Sequence, residues 1–206
     1  MKVRTEARRE AIVEAAAKLF LEVGYEAASM NELAKRLGGS KATLYGYFPS
    51  KEELLAAVVR VFATAHLAEA TEALLKELES RLELKPALLR FGERVLQVLT
   101  NDRTAASIHR LVLAEAGRSR IGQLFHDAGP RQCLDALTEL MTTAMARGEV
   151  RQGDPRVGAN QFLALLTAEI NARSFEPDPP PLKPAEIRQL VKRAVEMFLL
   201  GATPRP

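Results

Sequence analysis

Between residues 24 and 50 the chain is interrupted so often that only very short helices fit between the breaks. Gly24 ends an apolar first segment, Gly38-Gly39 follows soon after, and Pro49 closes the next stretch. Ser29-Met30-Asn31-Glu32 and Ser50-Lys51-Glu52-Glu53 both read as capping boxes, in which a serine hydroxyl covers an orphan amide and the glutamate reaches back. Ser40 is placed to cap a helix over Lys41–Phe48, which Pro49 stops. Before these breaks, Ile12, Ala15, Ala16, Leu19, Phe20 and Val23 recur at helical spacing and predict a first helix over Thr5–Val23. Two short helices joined by a glycine turn behind an apolar helix make a helix-turn-helix.

Nothing downstream alternates with the period of two that strands require, so the fold class is all-α with about nine helices. A fourth helix is expected from Ser50 to about Glu79, and a fifth from the turn holding Pro86 to Thr100. A sixth runs Thr104–Ala116, and a short piece spans Ile121–His126. After Gly129-Pro130 a long helix reaches Arg147. Asp154-Pro155 opens another to about Ser174, and the last covers Ala185–Leu200. Prolines crowd 177–184 and demand an irregular connection. This divides the chain into a helix-turn-helix domain over 1–49 and a larger helical domain over 50–206.

Composition narrows the function. Apolar residues make up 47% and charged residues 27% of the 206, as in ordinary globular proteins. No membrane span, signal peptide or internal repeat is expected, and Cys133, the only cysteine, allows no intrachain disulfide, which suits the cytoplasm. The three histidines, His66, His109 and His126, lack metal-ligand spacing, and Cys133 sits among Leu134, Leu137 and Leu140 as a small buried residue would. Neither an enzyme nor a cofactor is expected. The net charge of +3 belongs to residues 1–51, where nine Lys/Arg face six Glu, and such an excess points to a polyanion.

With Leu44 and Phe48 turned inward, the third helix presents Ala42, Thr43 and Gly46, flanked by Lys41, Tyr45 and Tyr47. Small residues let a helix approach the major groove closely, while Lys and hydroxyl groups bond phosphates or base edges. Packing within the domain is the alternative role for Tyr45 and, less readily, for Tyr47. The run from Ile12 to Leu55, above all Gly38-Gly39-Ser40-Lys41-Ala42-Thr43-Leu44-Tyr45-Gly46-Tyr47-Phe48-Pro49-Ser50-Lys51-Glu52-Glu53-Leu54, resembles the DNA-binding signature of the TetR family of bacterial repressors. Gly39 departs from it, since the family usually carries Val or Ala there. The resemblance implies that Ser29, Ser40, Tyr45, Tyr47 and Lys51 hold phosphates while Lys41, Ala42, Thr43 and Gly46 face bases. Lys2 and Arg4 form a candidate arm.

The same resemblance implies a double-stranded operator, a homodimer and a small-molecule effector, with the last two long helices pairing across a two-fold axis. Phe162, Leu166, Val191 and Phe198 are the expected dimer anchors. Phe62, His66, Phe91, Val95, His109, Leu137, Met141 and Met145 are the expected wall of an effector pocket for a mostly apolar molecule. The stretches His109–Glu115 and Phe125–Gly148 further resemble the C-terminal domains of multidrug-efflux repressors. A regulator of the same fold that activates, or that needs no ligand, is the alternative. A helical interaction module that does not bind DNA is the more distant one.

Overall fold

The computed structural model describes residues 5–79, 83–117, 120–176 and 178–202. No strand occurs among them. The helices in chain order are α1 (Glu6–Val23), α2 (Met30–Arg36), α3 (Lys41–Tyr47), α4 (Lys51–Val59), α5 (Ala65–Glu79), α6 (Leu84–Asn101), α7 (Arg103–Glu115), α8 (Ile121–Ala128), α9 (Pro130–Ala146), α10 (Pro155–Ala168) and α11 (Pro184–Ala202).

Local chemistry explains most of the boundaries. Thr5, Ser29, Ser40 and Ser50 each accept a hydrogen bond from the backbone N–H three residues on, at 3.0–3.3 Å. Each satisfies an amide that a helix start would otherwise leave without a partner. Asp154 does the same for α10 with Arg156 and Val157, ahead of Pro155. The Glu32 carboxylate does not complete its capping box, because Arg36 takes it at 3.2 Å. Gly24 ends α1 at φ +80°, and its N–H returns to the Phe20 carbonyl.

Two helices differ from expectation. The run from Ser50 to Glu79 is interrupted by a π turn at Arg60–Thr64. The buried Thr64 hydroxyl donates to the Ala128 carbonyl at 3.2 Å, and a side chain anchored in this way favours such a break in the helical ladder. α10 stops at Ala168 rather than Ser174 and passes into a 3₁₀ turn over Asn171–Phe175, where the apolar periodicity has run out. By length and composition alone, an 18-residue window within Lys51–Lys76, with a mean hydropathy of 1.4, is apolar enough to cross a bilayer, but half of it is buried. Many of its apolar residues are spent inside the fold: Leu54, Leu55, Val58 and Val59 in one core, Ala70 and Leu74 in another.

The chain forms two compact units, and neither follows the expected boundary at residue 49. The first gathers the described residues of Met1–Thr64 and Ser107–Ala128. Its core joins Ile12, Leu19 and Phe20 of α1 to Leu33, Leu44 and Phe48, and then to Leu54, Leu55 and Val58 of α4 with Ile108, Val112 and Ile121. The helix-turn-helix therefore has no closed core without α4, α7 and α8. The second unit comprises the described residues of Ala65–Ala106 and Gly129–Pro206. There α5, α6, α9, α10 and α11 surround Phe91, Leu96, Leu137, Met141, Phe162, Leu166 and Val191. Phe162 lies 6.4 Å from Phe91 and 5.5 Å from Phe198, measured between ring centroids.

Candidate nucleic-acid interface

The turn between α2 and α3 is built by backbone bonds that need no side chain. Gly38 sits at φ +60°, and the N–H groups of Gly38 and Gly39 return to the carbonyls of Lys35 and Ala34. Positive φ is why Gly38 suits its place. Gly39 has no such need. A methyl group there would meet only the tip of the Arg8 side chain at 3.2 Å. That guanidinium donates to the Leu37 carbonyl at 3.0 Å and ties α1 to the turn, so the turn is braced despite its second glycine.

α3 rests on Leu44, with Phe48 just beyond its end, both buried. Lys41, Ala42, Thr43 and Tyr45 are exposed, and Gly46 and Tyr47 are half-buried. The six residues expected on the outer face thus occupy all of the helix surface except the strip that Leu44 buries. Lys41 Nζ lies 5.7 Å from the Tyr45 ring centroid, a cation–π pair one turn apart that steadies a long side chain on the reading face. The Ser40 and Thr43 hydroxyls stand 2.9 Å apart, so both are exposed yet fixed. Tyr47 neither packs away nor points freely. Its Oη accepts the Thr5 N–H at 3.1 Å, which joins the end of α3 to the start of α1 and keeps the phenolic proton for another acceptor.

Lys51, an expected phosphate ligand, has its ammonium engaged within the domain. Its ammonium turns back to donate to the carbonyls of Tyr25, Glu26 and Ala28, at 2.8, 3.3 and 3.1 Å, and lies 4.2 Å from the Tyr25 ring centroid. Those bonds occupy all three of its N–H donors. Tyr25 itself is buried, and its phenol is pushed up to about 12, first by burial and then by the charges of Glu52, Glu26 and Glu115. Lys2 and Arg4 lie outside the described residues. Sequence reasoning missed Thr5 and Arg8, which brace the reading face from α1. Only the N-cap preference of Thr5 signalled either.

Residues 12–58 match the sequence pattern of the bacterial regulatory proteins of the tetR family, and residues 86–201 match that of the C-terminal domain of AefR-like transcriptional repressors. The chain belongs to the TetR family. It is a DNA-binding transcriptional regulator, as its relatives are. It is 28% identical to the transcriptional regulator YhgD of Bacillus subtilis over 193 residues, covering 90% of this chain and 93% of that one. Among solved structures, a TetR-family regulator from Mesorhizobium loti superposes with a TM-score of 0.79 at 26% identity, covering 98% of this chain and 100% of the other. The flavonoid-responsive regulator FrrA superposes with a TM-score of 0.76 at 30% identity over the same shares.

In this TetR-family chain the other expected sites are redistributed. Phe162, Leu166, Val191 and Phe198 are all buried in the second unit's own core, so none is left as an anchor that a partner can reach. The exposed apolar side chains of α10 and α11 are instead Val157, Met197 and Leu200. The last two stand off the buried stripe of Ile187, Val191, Ala194 and Phe198, a second apolar phase that the sequence already contained. The eight pocket candidates also divide. Phe62 and His109 belong to the first unit, where His109 packs on Phe125 at 5.3 Å and burial, then Arg110, holds its imidazole below the usual pKa. In the second unit, Phe91, Val95 and Leu137 are packed among core neighbours, which describes filled space rather than a cavity wall. His66 is exposed, with Glu69 and Asp102 at 3.6 and 3.7 Å. Met141 and Met145 border an open groove of about 520 Å³, lined also by Val157, Leu165 and Met197. Cys133 is a buried free thiol raised to about 11 by burial, in keeping with a packing role.

Proposed function

We propose that this protein is a one-component repressor that binds a pseudo-palindromic operator as a homodimer and leaves it when a small, mostly apolar effector binds. The observation that carries the reading is the outer face of α3, where Lys41, Ala42, Thr43 and Tyr45 stand exposed around a close-approach surface. A two-fold dimer presents two such helices to equivalent half-sites. Such work is done at the nucleoid, in the bacterial cytoplasm. Val157, Met197 and Leu200, which remain exposed on α10 and α11, support pairing through these two helices. Responsiveness to an effector is supported by FrrA, a flavonoid-responsive regulator whose structure aligns with 98% of this chain.

Selection of duplexes from a random pool, followed by titration at several salt concentrations, tests the DNA reading. Affinity must fall steeply as salt rises. Thr43→Ala and Lys41→Ala must shift base preference by about 1–3 kcal/mol at the positions they read. Effector control is tested by titrating flavonoids and other apolar compounds with and without the selected duplex, because linkage requires an inducer to bind more weakly when DNA is present. The filled packing around Phe91, Val95 and Leu137 favours a second reading, a regulator that needs no effector. Equal affinities with and without DNA across the compounds would select that reading.

A further inference from the structure

Of the six α3 residues around Leu44, only Lys41 carries a charge, and no acidic residue in the first turn of α3 pairs with it. Among the described residues its ammonium makes no ion pair or hydrogen bond, and its one partner is the Tyr45 ring. Arg36, on α2, fares differently, since Glu22 and Glu32 take its guanidinium at 2.6 and 3.2 Å. A carboxylate would steady Lys41 as well, but it would occupy N–H donors and cancel a charge that a polyanion requires. A ring face attracts the ammonium through its quadrupole and leaves free the N–H groups that point away from it. Tyr45 is 41% exposed, and among the described residues its hydroxyl has no hydrogen-bond partner. The hydroxyl that a phosphate role needs is therefore separate from the ring that faces Lys41.

The base edge that such an ammonium selects follows from hydrogen-bond chemistry. An ammonium only donates. In the major groove guanine alone offers two neighbouring acceptors, O6 and N7. Adenine sets a donor beside its acceptor, thymine a methyl group, and cytosine presents a donor. A lysine that swings freely takes a phosphate oxygen instead, which carries no sequence information. Discrimination requires the ammonium to be held on the reading face.

We propose that Tyr45 is a positioning residue for base recognition: its ring holds the Lys41 ammonium on the outer face of α3, and Lys41 held there selects a guanine in each half-site. This rests on the operator-binding reading above. The test uses the full-length protein and a duplex selected by the wild type, with each half-site guanine replaced in turn by 7-deazaguanine, which lacks the N7 acceptor. The guanine that Lys41 reads is the one whose replacement weakens the wild type and leaves Lys41→Met unaffected. If no guanine behaves so, the proposal is overturned. Tyr45→Phe and Tyr45→Leu both lack the hydroxyl, so their difference isolates the ring. At that base pair the preference for guanine over adenine is expected to stay at the wild-type level in Tyr45→Phe. In Tyr45→Leu it is expected to fall about two- to fivefold, the size of an exposed cation–π pair. Equal preference in the two variants overturns the proposal.

The pair is also visible without DNA, whether or not Tyr45→Leu folds. With the ammonium over the ring, the Lys41 ε-methylene protons are expected upfield of an ordinary lysine's in the wild type and in Tyr45→Phe. Ordinary lysine shifts in the wild type overturn the proposal. Failure of the operator reading is distinct: the wild type then shows no salt-dependent binding to any duplex while the upfield shift persists, and guanine selection falls with that reading.

Discussion

The two compact units are built from similar helices but use their residues in opposite ways. In the first, polar side chains do local work that can be assigned one by one. Thr5, Ser29, Ser40 and Ser50 cap helices, Arg8 braces a turn, and Lys51 gathers carbonyls. In the second, the main actors are interchangeable apolar side chains whose role depends only on which way they face. Phe162 and Val157 lie on the same helix, yet one is wholly buried and the other half exposed. Chemistry that is directional can be read from residue type. Packing cannot, because a leucine in a core, a pocket wall or an interface is the same leucine.

This contrast is most readily broken at Phe162. If the second unit is filled as densely as its core indicates, Phe162→Ala should cost about 3–5 kcal/mol of unfolding free energy in urea titration. A loss below about 1 kcal/mol would mean that Phe162 faces a space able to collapse or to accept a guest. Next in size is association. Met197→Glu, on an exposed position, should yield folded monomer by light scattering while changing the stability of the unit itself by no more than about 0.5 kcal/mol. An unchanged dimer would remove α11 from the interface.

Gly92 sharpens the same comparison. A methyl group there would stand 2.7 Å from Val191 Cγ1 and 3.0 Å from Leu166 Cδ1, so Gly92→Ala should destabilise by about 1–3 kcal/mol through overpacking. The smallest expected effect is at His109 in the first unit. Burial holds its imidazole below the usual value, so the unfolded chain takes up a proton before the folded one does. The stability this contributes is full above the unfolded value near 6.5 and is lost as pH falls through the lower folded value. His109→Gln should flatten that acid limb of the stability curve, and an equally steep limb in the variant would assign it to other groups.

The sequence was legible where an interaction spans three or four residues. The caps of α2, α3 and α4 and the exposed face of α3 follow from side chains that act on their own neighbourhood. The partners of Lys51 were not legible, because a cation beside a DNA-reading helix suits phosphate as well as it suits carbonyls. The carbonyls it takes lie 23–26 residues upstream. The dimer anchors were misread for a different reason. α11 carries two apolar phases, and the stronger one, through Val191 and Phe198, is the one that its own core consumes. The π turn had no local signal at all, since the Thr64 hydroxyl is fixed by a carbonyl 64 residues away.

The first unit is assembled from two stretches of chain separated by more than forty residues of the second. During synthesis the amino-terminal helices therefore leave the ribosome with their apolar faces unfinished. Ile108, Val112 and Ile121, which close that core, emerge only after α5 and α6. The DNA-reading half thus cannot mature first as an independent domain. Contacts of such long sequence separation also slow folding, because a large loop must close before they form. A nascent chain released before residue 128 would expose the same apolar surface that α7 and α8 are made to cover, which makes truncated forms of this regulator targets for aggregation and proteolysis rather than dominant competitors for its operator.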